Sequence, residues 1–322
     1  MMERCRTGKW ITAPLGVCLL ATVCCALWGS AFPCIKIGYG MFQIPAEAVN
    51  TQILFAGIRF TLAGILVIAI ASLGRRRPLV PKKGSWGMIL KLAACQTVLQ
   101  YLFFYIGLAN ASGVKSSIIE GANVFISILV ASLVFRQERF TGQKILGCLV
   151  GFAGVVLVNW TKDGLGAGMK WNGEGFVLLS TVAYAFSAAL IKEYSRREDT
   201  VVLSGYQFAA GGLVMVAWGL VGGGRIAVTL AGPAGIGMLC YLAFISAAAY
   251  TLWSLLLKHN PVSRVAVYGF MNPVFGVILS AWLLAENDQA FGVKTALALG
   301  LVCLGIYVVN RPRALSAADS VS

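Results

Sequence analysis

The 322 residues are 58% hydrophobic and only 12% charged, with 26 Lys or Arg against 12 Asp or Glu and a formal net charge of +14. A water-soluble chain of this length would expose far more charge, so the composition excludes an ordinary soluble domain. The positive balance alone would suggest nucleic-acid binding. However, the basic residues lie between long apolar stretches rather than in one patch, which argues against a nucleic-acid partner.

Ten separate stretches are each long and apolar enough to cross a bilayer. A hydrocarbon core about 30 Å thick needs about 20 mostly apolar residues in one helix. The predicted spans are residues 15–37, 52–73, 86–108, 112–135, 142–160, 173–193, 201–221, 233–257, 262–285 and 292–310. The sequence therefore predicts an all-α integral membrane protein with ten transmembrane helices.

The basic residues alternate between the two sides of these spans. Of the 26 Lys and Arg, 18 lie before the first span, after the last one, or in the loops that follow the even-numbered spans; six lie on the other side. Because positive residues stay in the cytoplasm during insertion, both termini are predicted to be cytoplasmic, in a multi-pass plasma-membrane protein. The basic excess then serves insertion and contact with anionic membrane lipid.

The second half of the chain echoes the first. Trp28 and Lys36 are eight residues apart, as are Tyr184 and Lys192, and each pair closes the first helix of its half. Five helices per half is an odd number, so the second half is predicted to be inverted relative to the first. Inverted repeats are a recurring plan of secondary transporters, in which two halves rock around a midplane site. A duplication retained only for packing is the alternative.

This repeat divides the chain into predicted units. A cytoplasmic segment, 1–14, precedes a first five-helix unit, 15–160, and an extracytoplasmic linker, 161–172. A second five-helix unit, 173–310, is followed by a cytoplasmic tail, 311–322.

Short motifs recur in order along both units. They are Trp28-Gly29-Ser30-Ala31-Phe32-Pro33 with Lys36, Arg59 in the second helix, Glu138 with Gly147 and Gly154, and Glu286 with Gly300 and Gly305. Their order and duplication resemble the EamA family of the drug/metabolite transporter superfamily. One departure lies in the fourth helix, where the segment from Ser116 to Asn123 is more polar than the family pattern and lacks its usual proline. Pro273 retains that proline in the ninth helix.

The resemblance implies export or exchange of small organic solutes such as amino acids or amines, by alternating access and without ATP hydrolysis. A passive channel or facilitator, and a membrane scaffold without transport, are the alternatives. An enzyme is not expected, because the sequence has no HExxH or GxSxG motif and only one histidine, His259. No cofactor or metal is expected, and proton coupling is an open option. Substrate, direction and coupling do not follow from the sequence.

The fourth helix carries the strongest candidate for coupling. Ser116, Glu120, Asn123 and Ser127 recur at helical spacing and form one polar stripe, in which Glu120 is the acidic residue well inside a predicted span. Intramembrane charges are costly and therefore mark functional positions. Glu120 is interpreted either as the group that binds a proton or a cationic solute, or as the partner of Arg59 in a structural ion pair at similar depth.

The remaining candidates line a predicted cavity between the two halves, where aromatic rings can stack on a solute. Together with Glu120, the predicted solute-binding residues are Trp28, Phe32, Asn123, Tyr184, Tyr268 and Asn272. Weaker candidates are Tyr101, Tyr105, Tyr250 and Trp253, with Gln96, Gln100 and Gln207 interpreted mainly as helix–helix contacts.

Two prolines and two small-residue stripes complete the prediction. Pro33 and Pro273 interrupt the hydrogen bonding of their helices and are predicted hinges. The stripes Gly147-x-x-x-Gly151 and Ala296-x-x-x-Gly300 indicate close helix packing, either within the chain or in a homodimer.

Overall fold

The computed structural model describes residues 10–111, 113–159, 170–284 and 293–311. Within these ranges the chain is helical apart from short connections, and it contains no strand. We number the helical units in chain order. They are α1 (Pro14–Met41), α2 (Val49–Arg75), α3 (Trp86–Asn110), α4 (Gly113–Leu129, followed by a π-helical turn at Val130–Val134), α5 (Gly142–Asn159), α6 (Trp171–Tyr194), α7 (Thr200–Val221), α8 (Val228–His259), α9 (Val262–Ala266, Val267–Phe270 and Met271–Leu284) and α10 (Val293–Asn310).

Several of these helices are long and apolar enough to cross a membrane. Six described helices satisfy this requirement: α1, α2, α3, α6, α7 and the Ala231–His259 part of α8. Three shorter apolar helices lie within α4, α5 and α10. Large apolar side chains such as Leu73, Val221 and Trp282 are at least 75% exposed on the outer surface, as lipid-facing residues are. The chain is therefore a multi-pass membrane protein.

The predicted ninth span is not one continuous α-helix. It begins with a short α-helical segment, Val262–Ala266, passes through a 3₁₀ turn, Val267–Phe270, and becomes α-helical again at Met271. Pro273 accounts for this break, because its ring has no N–H to donate and clashes with the carbonyl four residues earlier, which belongs to Gly269. In contrast, α1 continues through Pro33. Hinge motion at either proline stays a prediction.

The packing of the helices follows a two-fold pattern. Helix α1 packs against α8 and α9, whereas α6, its counterpart in the second half, packs against α3 and α4. Helices α2 and α7 pack along each other, as do α5 and α10. Replacing each of these helices by its counterpart five positions away reproduces these principal contacts. The contacts are therefore those expected of two related five-helix halves.

Glycines allow α2 and α7 to approach closely. A Cβ atom on Gly64 would lie 2.4 Å from the backbone nitrogen of Ala209, and one on Gly212 would lie 2.4 Å from the backbone nitrogen of Thr61. Both distances are far below van der Waals contact with a rigid backbone. Only glycine therefore fits at these two crossings, which hold the two halves together.

The Gly147-x-x-x-Gly151 stripe is used inside the chain. A Cβ atom on Gly305 of α10 would lie 2.6 Å from both the Gly147 carbonyl oxygen and the Gly151 nitrogen. This stripe is therefore a packing surface between α5 and α10. Gly300 of the second predicted stripe is exposed, and a Cβ atom added to it would have no described neighbour within 4 Å.

Two glutamates join the halves at the end of the bundle that carries the loops after α2, α4, α6 and α8. In the first contact, which we name the Glu138 clamp, the Glu138 carboxylate accepts hydrogen bonds from the Ser263 backbone N–H at 2.9 Å and the Ser263 hydroxyl at 2.6 Å. Lys144 Nζ donates to the same carboxylate at 3.0 Å. The clamp fastens the end of α4 to the start of α9.

The second contact, the Glu198 clamp, joins the loop after α6 to the loop after α2. Glu198 accepts hydrogen bonds from the Ser85 hydroxyl at 2.5 Å, from the Lys82 N–H at 3.0 Å and from the Asp199 N–H at 2.9 Å. Burial raises the pKa of Glu198, but these hydrogen bonds outweigh that effect and leave the pKa below its ordinary value. Asp199 forms an ion pair with Arg75 at 2.8 Å.

Candidate functional site

The most unusual charge in the described structure is Arg59, which α2 places in the interior of the bundle. Its side chain is only 4% exposed, and no carboxylate pairs with it among the described residues. The guanidinium carbon lies 4.5 Å from the centroid of the Phe60 ring and 5.9 Å from that of Tyr101. The tyrosines within electrostatic range of the guanidinium are Tyr39, Tyr101, Tyr105 and Tyr250. We name these four tyrosines with Phe60 the Arg59 box.

The hydrogen bonds inside the Arg59 box are incomplete. The Tyr101 and Tyr250 hydroxyls are 2.5 Å apart and bond to each other. Among the described residues, the buried Arg59 Nε has no hydrogen-bond partner, and the buried Tyr39 hydroxyl forms no hydrogen bond of normal geometry, although it interacts with the Tyr105 hydroxyl. Buried donors without an acceptor are rare in folded proteins and call for an explanation.

Trp28 and Tyr184, predicted to occupy equivalent positions in the two halves, meet beside this box. The Trp28 ring lies 4.9 Å from the Tyr250 ring and 5.0 Å from the Trp253 ring, edge-on in both cases. The Tyr184 hydroxyl lies within hydrogen-bonding range of the Trp253 N–H, which donates to it, and within electrostatic range of Tyr101. The Trp28 Nε1 is buried without a partner. Both residues therefore face the interior between the halves, in one aromatic cluster.

Glu120 lies on the surface of α4 that packs against α6. Its carboxylate accepts a hydrogen bond from the Ser180 hydroxyl at 3.3 Å, and the residue is half-buried. On the same stripe Ser127 donates to Asn123 Oδ1 at 3.1 Å, whereas the buried Ser116 hydroxyl has no partner. The stripe therefore faces other helices, and its acid has no basic partner among the described residues.

The predicted ion pair between Arg59 and Glu120 is not formed. Their similar depth allowed it, but depth does not determine which way a side chain points around its helix. Helix α2 packs mainly along α7 and presents Arg59 to tyrosines of α1, α3 and α8, whereas α4 presents Glu120 to α6. The two charges belong to different surroundings.

The other predicted site residues do not all lie in this aromatic cluster. Tyr268 is buried in the core against α1, where the Cys25 thiol donates to its carbonyl oxygen at 3.2 Å. Asn272 is half-buried, and its Oδ1 atom is buried without a partner. The side chain of Phe32 lies outside the described part of the structure, as does Glu286. Thus the structure gathers Trp28 and Tyr184 in one cluster and places Tyr268 at a separate contact.

Glutamines join α3 to α7, and tyrosines of α1 and α3 surround Arg59. Gln207 accepts from Thr97 at 2.8 Å and donates to Gln96 at 2.9 Å, which confirms that these glutamines join α3 to α7. Tyr39 was missed as a neighbour of Arg59, because nothing in its spacing marks it. The spacing of Tyr101 and Tyr105, one helical turn apart, was a usable signal for a shared surface.

Among the described residues, no group of three or more His, Cys, Asp or Glu side chains could hold a metal ion. Neither Glu120 nor the Arg59 box has the donor set of a metal site: one offers a single carboxylate and the other a cation.

A protein-family comparison matches both halves of the chain. The model of the EamA-like transporter family matches residues 15–160 and 171–311. An uncharacterized transporter of Synechocystis sp. is 29% identical over 301 residues, covering 88% of this chain and 87% of that protein. An uncharacterized transporter of Archaeoglobus fulgidus is 28% identical over 308 residues, covering 95% and 99% respectively.

Further relatives point the same way. The uncharacterized inner membrane transporter YedA of Escherichia coli is 25% identical and covers 92% of this chain and 90% of its own length. One solved crystal structure superposes with a TM-score of 0.73 at 18% identity, covering 96% of this chain and all of the other. That likeness shows a shared fold.

Proposed function

Because the chain belongs to the EamA-like transporter family, we propose that this membrane transporter is a secondary active carrier of small organic metabolites such as amino acids or amines. It exports or exchanges them across the plasma membrane by alternating access between two inverted five-helix repeats, which together form ten membrane spans. Both termini lie in the cytoplasm.

The observation that carries this proposal is the two-fold pattern of helix packing. A pair of inverted halves must exchange neighbours under the two-fold axis, as α1 with α8 and α9 and α6 with α3 and α4 do. A carrier of this kind needs each half to move as a unit around a central site. The aromatic cluster between α1, α3, α6 and α8 lies where those halves meet.

The charge distribution supports the orientation. The clamps lie in the loops after α2, α4, α6 and α8, and along the sequence 18 of the 26 Lys and Arg residues belong to these loops or to the two ends of the chain. Positive residues mark the cytoplasmic side. In this orientation the Glu138 and Glu198 clamps fasten the two halves at the cytoplasmic end.

The solute site in this proposal combines the predicted residues on both halves. In this proposal Trp28 and Tyr184 form its wall, and Phe32, Asn123, Tyr268 and Asn272 remain predicted solute contacts. Glu120 binds a proton or the positively charged group of the solute, because its carboxylate has only the Ser180 hydroxyl as a partner among the described residues.

The test begins with a comparison of metabolites in the medium of cells with and without the protein. Solutes enriched by the protein are then loaded into proteoliposomes, and exchange against labelled external solute is measured. A carrier gives saturable counterflow, whereas a channel gives linear flux and a scaffold gives none. Linear flux or no flux would reject the proposal.

A further inference from the structure

We propose that Arg59 and the donors around it bind the carboxylate of the transported solute. This inference rests on the proposed function and narrows it: the solute is a small organic acid or an amino acid rather than a plain amine. Its basis is a buried cation that no described residue neutralises.

The burial of the Arg59 charge has an energetic cost. A guanidinium remains protonated in proteins, so Arg59 cannot escape burial by losing its proton. Burying such a charge is costly unless a counter-ion or a complete set of hydrogen bonds compensates it. Arg59 is only 4% exposed, and the described residues offer it no carboxylate. The Phe60 ring at 4.5 Å supplies a cation–π contact, which offsets a small part of the cost.

The buried donors at and beside Arg59 lack hydrogen-bond acceptors of normal geometry. Arg59 Nε, the Tyr39 hydroxyl and Trp28 Nε1 are buried, form no hydrogen bond of normal geometry with any described residue, and each carries a hydrogen to donate. Tyr39 is within electrostatic range of Arg59, and Trp28 is edge-on to Tyr250 of the same box. A buried cation with an unpaired N–H of its own, and two further donors beside it, are complementary to an anion that only accepts hydrogen bonds.

The geometry of the Arg59 guanidinium indicates that this anion is a carboxylate. A guanidinium presents planar, paired N–H groups that match the two oxygens of a carboxylate. The surrounding rings of Phe60, Tyr101 and Tyr250 favour a ligand whose remainder is apolar or planar over a strongly hydrated inorganic ion. Arg75, at the end of the same helix, has its carboxylate partner within the chain, Asp199 at 2.8 Å. For Arg59 the partner is supplied by the solute.

The experiment measures thermal unfolding of the purified full-length protein with matched pairs of probes that differ only in the carboxylate. The pairs are L-leucine and L-leucinamide, L-phenylalanine and L-phenylalaninamide, and 4-methylpentanoate and its amide. Sodium chloride and sodium phosphate at equal ionic strength test for a simple inorganic anion site. A ligand present at about ten times its Kd is expected to raise the Tm by roughly 3 °C.

We expect at least one acid to raise the Tm while its amide and both salts do not. Arg59→Gln should abolish that shift, and Arg59→Lys should keep part of it. Tyr39→Phe retains the charge and should weaken binding roughly tenfold, because one hydrogen bond to a charged ligand is lost. Arg75→Gln is the matched control and should leave the shift unchanged. If Arg59→Gln does not fold, the Arg59→Lys and Tyr39→Phe results still decide the question.

Three outcomes would overturn the inference: amides that stabilise as well as their acids, salts that replace the acids, or no shift with any acid up to about 10 mM. An acid shift that survives Arg59→Gln in a folded protein would also overturn it. Proteoliposome counterflow is scored separately. Arg59-dependent binding of acids without counterflow rejects the transport proposal and leaves the anion site standing, whereas counterflow of amines alone rejects the anion site.

Discussion

The charged groups at the clamped end of the bundle and those in its interior are treated in opposite ways. At the clamped end, Glu138 receives three hydrogen bonds, one of them from Lys144, and Glu198 also receives three. In the interior, Arg59 has no carboxylate partner among the described residues and Glu120 has one hydroxyl at 3.3 Å. The energetic cost of an incomplete set of partners is greater in the interior, where water cannot substitute.

This contrast separates structural charges from functional ones. A charge that only holds the fold together gains most when the chain itself satisfies it, as at the two clamps. A charge that must bind and release a solute or a proton has to be left available. The difference predicts that substitutions at the clamps will lower stability, whereas substitutions in the interior will lower transport.

The largest effect is expected from Glu120→Gln. Removing the charge should reduce gradient-driven accumulation of the solute by at least about tenfold, because the coupling group can no longer change its charge. Stability should change by less than about 1 kcal/mol, since only the Ser180 hydrogen bond is altered. Uptake into proteoliposomes and thermal unfolding measure the two quantities.

The control for this substitution is Ser127→Ala, two turns along the same stripe, which removes the hydroxyl that donates to Asn123 but no charge, and which should leave accumulation nearly unchanged. Because Arg59 and Glu120 are not paired, Arg59→Gln together with Glu120→Gln should not restore transport. Full transport by Glu120→Gln, or recovery of transport in the double variant, would contradict the division into functional charges in the interior and structural charges at the clamps.

The next effect concerns the Glu138 clamp. Glu138→Ala should lower the free energy of unfolding by about 2–4 kcal/mol, because a largely buried acceptor of three hydrogen bonds is lost and Lys144 is left unpaired. Denaturation in detergent measures the change. Glu193→Ala is the control: its partner Arg196 lies 3.6 Å away and is 67% exposed, so the loss should stay below about 0.5 kcal/mol. Equal losses in the two variants would remove the special role of the clamp.

A smaller effect is expected for Asp199→Asn. The ion pair with Arg75 is about one-third exposed on both sides, so its loss should cost less than about 1 kcal/mol. Asparagine can keep the hydrogen bond to the Val201 N–H that caps α7. Asp199→Ala removes this cap as well and should be more destabilising than Asp199→Asn. The reverse order in an unfolding experiment would show that the ion pair, rather than the cap, matters.

The smallest expected effect is the contribution of the Glu198 carboxylate to the loss of stability at acid pH. The pKa of Glu198 in the folded protein is below its ordinary value of 4.5, so the folded state favours the ionised form. The stability from this carboxylate is therefore complete above about pH 4.5 and is lost as the pH falls through the folded pKa. Between pH 6 and pH 3 the Tm of Glu198→Gln should fall less than the Tm of the unmodified protein. The difference between the two proteins should begin at about pH 4.5. An unchanged pH profile would show that Glu198 is not ionised in the clamp.

The sequence alone was sufficient to identify the helical membrane architecture, the duplication and the family. Long apolar runs are conspicuous because a bilayer requires about 20 such residues, and most of the described helices follow the predicted spans. The motifs around Trp28 and Arg59 were sufficient for the resemblance, since they depend on residue type and order. The break in α9 was in principle readable from Pro273, but a proline shows where hydrogen bonding is lost and not which helical form replaces it.

Only the tertiary structure determined the partners of the charged residues. Sequence spacing gives the depth of Arg59 and Glu120 and the side of a helix each occupies, but not the helix that lies opposite. That choice depends on the packing of α2 against α7 and of α4 against α6, where glycines and side-chain shapes far along the chain fit together. The Arg59 box joins residues from Tyr39 to Tyr250, and the Glu138 clamp joins residues 125 positions apart. Contacts over such distances along the chain arise from the folded arrangement of the helices, because no local pattern encodes which surfaces will meet.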